Sequence, residues 1–206
     1  MAPVRLCVLV SGSGTILEAM LEAGLEVALV ASDRPCRGLE VASEAGVETV
    51  LVDRREFGGF TEAFNREAYS EELARMLTEH RIDLIAMTGF GTVVTGVLHR
   101  AFPGRILNTH PSLLPAFKGW HAVAATLEAG VSETGCTVHV ATEALDDGPI
   151  LAQRRVVVLP DDDEASLHER IKTVERVLYP EVVARVMASL GQGEELDGVT
   201  SAMEEN

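Results

Sequence analysis

The chain has few basic residues, few cysteines and no long apolar run, and each shortage excludes something. Seventeen Lys and Arg stand against 32 Asp and Glu, a net charge of −15. That deficit argues against a nucleic-acid or anionic-membrane surface, because phosphate backbones demand a basic footprint. Small anionic substrates remain open, since local donors bind them whatever the net charge. Cysteines number three, Cys7, Cys36 and Cys136, with no Cys-x-x-Cys pair. Cys7 and Cys136 fall in apolar strand-like runs, so buried reduced thiols are expected rather than a disulfide framework. No stretch has the length of a membrane span. Ser11-Gly12-Ser13-Gly14 interrupts the first apolar run before it reaches signal-peptide length, so a cytoplasmic location is expected. His-x-x-x-His and other closely paired metal ligands are missing, which disfavours a metal hydrolase and leaves no metal expected. No internal repeat and no linker divides the 206 residues, so one domain over 1–190 is the expectation. Residues 191–206 carry Glu194, Glu195, Asp197, Glu204 and Glu205 with no Lys or Arg. They are expected to form a poorly ordered acidic tail.

What is present alternates strand and helix. Val4–Val10 reads as a strand, Thr15–Ala23 as a helix, Glu26–Ala31 as a strand, and Arg37–Ala45 as a helix closed by Gly46. The strand Val47–Val52 precedes a long amphipathic helix over Phe60–His80, with Phe60, Phe64, Ala68, Leu73, Met76 and Leu77 at helical spacing. Strand Ile82–Met87, helix Thr92–Ala101 and strand Arg105–Leu107 follow. Alternation of this kind implies parallel pairing with right-handed crossovers and helices on both faces, an α/β class with an open, twisted, mostly parallel sheet. The second half differs. A helix over Trp120–Ala129 precedes strands Thr134–Ala141 and Ile150–Val158 with no helix between them, so antiparallel addition is expected. Acids at Asp161–Glu164 suit a helix start. Leu167, Ile171, Val174, Leu178, Val182 and Val186 then mark a long closing helix.

The most informative segment is Asn108-Thr109-His110-Pro111-Ser112-Leu113-Leu114-Pro115. Residues two apart on an extended chain point the same way, so Asn108 and His110 can face one substrate. Leu145-Asp146-Asp147-Gly148-Pro149 offers a carboxylate from another loop. Amide, imidazole and carboxylate together suit acyl-group chemistry. Singly, each piece is also what a turn or a hydrogen-bonded structural histidine would show; the combination carries the reading.

The turn Ser11-Gly12-Ser13-Gly14-Thr15 follows the first strand and precedes a helix. Free amides there attract anions at the carboxyl edge of an α/β sheet. It is neither a Rossmann dinucleotide fingerprint, because the third position after Gly12-x-Gly14 is Leu17, nor a P-loop, because no Gly-Lys-Ser/Thr follows. A tight turn that merely needs glycine is the plainer alternative.

These segments, with Gly89-Phe90, Gly135-x-Thr137-Val138-His139 and Lys172-x-x-Glu175 before Tyr179-Pro180, resemble the folate-dependent formyltransferases over roughly residues 4 to 188. The resemblance is strongest to their glycinamide branch. It implies a Rossmann-like fold, and transfer of the formyl group of 10-formyltetrahydrofolate to the amine of 5'-phosphoribosylglycinamide in purine biosynthesis. Asn108, His110 and Asp146 would be catalytic: Asn108 donating to the oxyanion, His110 acting as imidazolium, Asp146 orienting it. Gly14, Thr15 and Ile16 would hold the phosphate, with Lys172 beside it and Glu175 on the ribose. The folate would meet Gly89, Gly91, Thr92, Val93 and Val94. Asn108, Thr142 and Leu145 would complete its site, with Arg66 attracting its glutamate carboxylates. Pro111, Thr137 and His139 would support, Thr137 through its hydroxyl and an ordered water. Departures from the family pattern are Gly91-Thr92 where Met and a basic residue are common, Ile16 where Asn is, and Lys118 where Pro is.

The expected partners are those small molecules, with no nucleic acid and no membrane, for a monomer or homodimer. Within the superfamily, a methionyl-tRNA formyltransferase would add a basic C-terminal domain and a deformylase an N-terminal regulatory one. From another class, a non-enzymatic phosphometabolite-binding α/β protein would explain the Gly-rich turn but has no use for Asn108, His110 and Asp146 meeting.

Overall fold

A computed structural model describes residues 3–194. Two compact units are present, the first ending at Ile106 and the second beginning at Leu107.

In the first unit, strands β1 (Leu6–Val10), β2 (Val27–Ser32), β3 (Thr49–Leu51) and β4 (Leu84–Thr88) pair parallel in the order β3-β2-β1-β4. Every residue of β1 is buried, as a central parallel strand covered on both faces requires. Helices α1 (Thr15–Glu22) and α2 (Arg37–Glu44) pack on each other, and α3 (Arg66–Glu79) packs on α4 (Gly96–Ala101). Right-handed crossovers explain the division: α1 and α2 carry the chain one way along the sheet, and α3 carries it back across the other face. The direction reverses between β1 and β4, and a topological switch point of this kind is where open α/β sheets bind ligands.

The second unit holds β5 (Ile106–His110), β6 (Glu133–Val140) and β7 (Ile150–Val157), all antiparallel, with α5 (Ala122–Glu128) and the long α6 (Glu164–Gln192). The expected α/β class, parallel first and antiparallel in the C-terminal half, is the observed one. Asp163 caps α6, accepting from the Ser166 amide at 2.8 Å, while Ser166 Oγ accepts from the Asp163 amide, a capping box. Leu167, Ile171, Leu178, Val182, Val183 and Val186 form its buried face, whereas Val174, expected there, is only half-buried. The Tyr179 hydroxyl donates to the Leu107 carbonyl at 2.9 Å and ties α6 to the strand that carries Asn108 and His110.

Several boundaries differ from expectation. The helix expected from Phe60 starts at Arg66. Asn65 caps it by accepting from the Ala68 amide at 3.1 Å, and a short 3-10 helix, Arg54–Phe57, precedes it, closed by Gly58 at φ 99°. Phe60 is 59% exposed and stacks under the Arg34 and Arg54 guanidiniums, so the apolar spacing at 60 and 64 reflects cation–π contacts rather than a helix face. Helix α4 begins at Gly96 rather than Thr92, and α5 at Ala122 rather than Trp120. Strand β5 runs three residues beyond Leu107 and includes both Asn108 and His110. Helix α6 extends past 190 to Gln192; the remainder of the expected tail, 195–206, lies outside the described residues. Cys7 and Cys136 are buried free thiols, as expected, and burial pushes the Cys136 thiol up to about 12.

Candidate active site

Antiparallel register assembles the site in the second unit. Asn108 stands opposite His139, and His110 opposite Thr137. Directly opposed residues share a face, so these four side chains converge from two strands. The loop after β6 then delivers Asp146. A Cβ on Gly148 would lie 1.8 Å from the Val140 carbonyl oxygen, so only glycine lets the loop close this tightly on the end of β6. Asp146 itself takes a left-handed backbone, φ 52°, which Asp tolerates better than most residues.

The carboxylate is held through one oxygen. Asp146 Oδ2 accepts from the Gly119 amide at 2.9 Å and lies 3.3 Å from His110 Nδ1; Oδ1 lies 3.7 Å from His139 Nε2. His110 Nε2 donates to the Phe117 carbonyl at 2.8 Å. Both nitrogens of His110 therefore face oxygen atoms. The His110 and Asp146 side chains are 6% and 5% exposed, so the two groups face each other away from bulk water. Asn108 Nδ2 lies 3.2 Å from His139 Nε2. Burial, the largest cause, lowers the His139 pKa, so that ring stays neutral at pH 7.

The Thr137 hydroxyl is engaged by three protein groups. Its hydroxyl donates to the Ser112 carbonyl at 2.7 Å and accepts from the Leu114 amide at 3.0 Å and from Gln153 Nε2 at 2.9 Å. With one donor and two acceptor positions filled, it braces the segment after His110-Pro111. Gln153, which pairs with Thr137 across β6 and β7, also donates to the Leu114 carbonyl at 2.9 Å. Ser112 Oγ donates to the Ala116 carbonyl at 2.6 Å and closes the same segment. Leu145 and Thr142 are exposed on the Asp146 loop. Lys118 pairs with Asp147 of that loop, so the departure from proline at 118 adds an ion pair to the Gly119–Asp146 contact.

On α6, Glu175 is half-buried, and burial, its first cause, raises its carboxyl pKa; the Thr109 hydroxyl, Lys172 and Arg176 oppose the rise. Lys172 lies 3.9 Å from Glu169 and is partly exposed.

In the first unit, Gly14 caps α1 in the left-handed conformation, φ 76°, with no side chain on the capping amides. Thr15 and Ile16 open that helix at the carboxyl end of β1, and Ile16 is itself buried, so only its amide can meet a ligand. At the end of β4, the Gly91 amide donates to Ser11 Oγ at 2.6 Å, across the switch point. A Cβ on Gly91 would lie 2.5 Å from Arg34 Nη2, so the glycine departure makes room for a guanidinium. Thr92 is buried: its hydroxyl donates to Asp33 at 2.7 Å and accepts from Arg54 Nη1 at 3.0 Å. Val94 is buried too, Val93 is half-buried, and Gly89 is exposed at φ 60°. Arg66 is the exposed first residue of α3. Asp33, fully buried, binds Arg34 through both oxygens at 2.9 Å. Arg34, Arg54, Asp33, Gln153 and the Phe117 carbonyl escaped the sequence reading.

Amide, imidazole and carboxylate meet in the second unit, the donor and acceptor types that acyl-group chemistry uses, and the chain belongs to the formyl transferase family, which it matches over residues 4–183. It is similar to the phosphoribosylglycinamide formyltransferase of Mycobacterium tuberculosis, 42% identical over 207 residues, 98% of this chain and 92% of that one. It is also 40% identical over 192 residues to the trifunctional purine biosynthetic protein adenosine-3 of Drosophila melanogaster, covering 89% of this chain and 14% of that protein. Among solved structures it resembles glycinamide ribonucleotide transformylase 1 from Symbiobacterium toebii. The TM-score is 0.83 at 40% identity, with 91% of this chain and 89% of that one covered. Among the described residues no group of three or more His, Cys, Asp or Glu is arranged for a metal ion, and no helix is long and apolar enough to cross a membrane.

Proposed function

We propose that the chain transfers the formyl group of 10-formyltetrahydrofolate to the amine of 5'-phosphoribosylglycinamide, a step of purine biosynthesis. The observation that carries this is the convergence of Asn108, His110 and Asp146, with His110 Nδ1 3.3 Å from Asp146. The substrate amine attacks the formyl carbon, and the carbonyl oxygen gains charge. Asn108 Nδ2 and His110 Nε2 meet that oxygen, which competes with the Phe117 carbonyl for His110 Nε2. Donors aimed at a developing oxyanion in a buried site are the largest single source of rate in such reactions. The proton lost by the amine passes to N10 as the C–N10 bond breaks, His110 mediating and Asp146 offsetting the imidazolium charge.

The uncapped amides of Thr15 and Ile16 suit the ribonucleotide phosphate, with Gly14 shaping the turn. Lys172 supplies a cation to it and Glu175 accepts from ribose hydroxyls. Because Thr92 and Val94 are buried, the folate meets backbone at Gly89, Gly91 and Val93 there, together with Thr142 and Leu145. Arg66 attracts its carboxylates. Residues 1–190 carry this activity in the cytoplasm, as a monomer or homodimer whose partners are the two substrates, with neither nucleic acid, membrane nor metal required.

An absorbance assay for loss of 10-formyltetrahydrofolate, with and without the ribonucleotide, tests the reading. Loss that requires the ribonucleotide supports it. Loss without it marks a deformylase, and no loss marks a binding protein.

A further inference from the structure

We propose that His139 is a positioning residue: as a neutral ring protonated on Nδ1, it fixes the amide nitrogen of Asn108 towards the reacting carbonyl. This rests on the formyl-transfer reading for its consequence, though not for its geometry.

The two contacts of the ring demand one tautomer. His139 Nδ1 lies 3.1 Å from the Val140 carbonyl, which can only accept, so Nδ1 carries the hydrogen. Nε2 is then a lone pair, and only a donor can sit against it. Asn108 Nδ2, 3.2 Å away, is that donor. Turning the amide over would set Asn108 Oδ1 against the Nε2 lone pair, a repulsion between two acceptors in a buried place. Nε2 also lies 3.7 Å from Asp146 Oδ1, too far for a hydrogen bond, so Asn108 Nδ2 is its hydrogen-bond partner. One of its N–H bonds is held by His139, and the second is left for the formyl oxygen.

Protonating His139 reverses the preference. Nε2–H then favours Asn108 Oδ1 or Asp146 Oδ1, and an oxygen replaces the donor where charge develops. The titratable groups facing the ring are Asp146 from the loop after β6, which favours protonation, and His110 from β5, which opposes it. Burial, the largest influence, keeps the ring neutral at neutral pH. At 1% side-chain exposure His139 has no route to charge except inside this cluster. An acidic limb in turnover follows, belonging to His139 rather than to a substrate.

Two measurements test this separately. Imidazole ¹⁵N spectra of the whole chain at neutral pH read the tautomer without reference to activity: His139 is expected as Nδ1–H with an unprotonated Nε2. An Nε2–H tautomer or an imidazolium overturns the proposal. Turnover is then followed from about pH 5 to about pH 8, where histidine titrates, with thermal unfolding as the folding control. His139→Phe removes the acceptor, and kcat is expected to fall about 10- to 100-fold, somewhat less than for outright loss of an oxyanion donor, with KM changed far less. His139→Gln restores an acceptor that cannot charge; it should recover much of that loss and flatten the acidic limb. Wild-type turnover by a folded His139→Phe, or an unchanged acidic limb in His139→Gln, overturns the assignment. Should the wild-type chain transfer no formyl group at all, the functional reading fails, and the spectra alone decide the positioning of Asn108.

Discussion

Asp146 reaches His110 from a left-handed backbone position, with Oδ2 3.3 Å from Nδ1 and pinned by the Gly119 amide at 2.9 Å. The carboxylate is thus fixed by a loop closure, the imidazole by a strand, and their meeting is set by backbone geometry. His110→Ala removes the central donor, and kcat is expected to drop about 10²- to 10⁴-fold, the usual worth of positioned acid–base groups. Asp146→Asn should lose a similar order of activity while its unfolding midpoint moves little. Steady-state kinetics beside thermal unfolding check both, and a variant near wild-type turnover would contradict the assignment.

Gly148→Ala tests the loop itself. The added methyl would sit 1.8 Å from the Val140 carbonyl oxygen, so the loop must move and carry Asp146 with it. Turnover should fall without any change to a catalytic side chain. Unchanged kcat would show that Asp146 does not depend on this closure.

Much of this was legible from the chain. The spacing of Asn108 and His110 on one extended segment, the Gly-rich turn after β1, the antiparallel β6 and β7, and the apolar stripe of α6 all rest on local periodicity. What was not legible rests on pairing. Resemblance named His139 and Thr137 as supporting residues, but their partners Asn108 and Gln153 come from strand register, which no local pattern encodes. Likewise Phe60 has the spacing of a helix face, but the structure makes it a platform for Arg34 and Arg54.

Thr137→Val keeps shape and removes the hydroxyl that braces the segment after Pro111. The Leu114 amide and Gln153 Nε2 lose their acceptor. Gln153 keeps the Leu114 carbonyl, but leaving the buried Leu114 amide unpaired costs about 1–3 kcal/mol, to be read in chemical denaturation. A neutral result would mean the brace is dispensable.

Glu175 predicts a pH dependence. Burial raises its carboxyl pKa above the ordinary 4.5, so the folded chain holds that proton more tightly than the unfolded one. Its stabilising contribution is complete below 4.5 and is lost as pH rises through the higher folded value. Glu175→Gln cannot ionise, so its unfolding midpoint should gain on the wild type as pH rises through that window. A pH-independent difference between the two would contradict this. The same variant should weaken ribonucleotide binding.

Thr15→Asp places a negative charge at the uncapped start of α1. Like charges about 4 Å apart cost ~1 kcal/mol in water and more where water is excluded, so ribonucleotide affinity should fall about tenfold. Titration calorimetry reads this directly, and unchanged affinity would remove the phosphate from this turn.

A single-turnover experiment with formyl-labelled 10-formyltetrahydrofolate probes the central claim most directly. The label should appear on the glycinamide amine with the wild-type chain and arrive orders of magnitude more slowly with His110→Ala. Label released as free formate, or delivered equally fast by both proteins, would contradict the account.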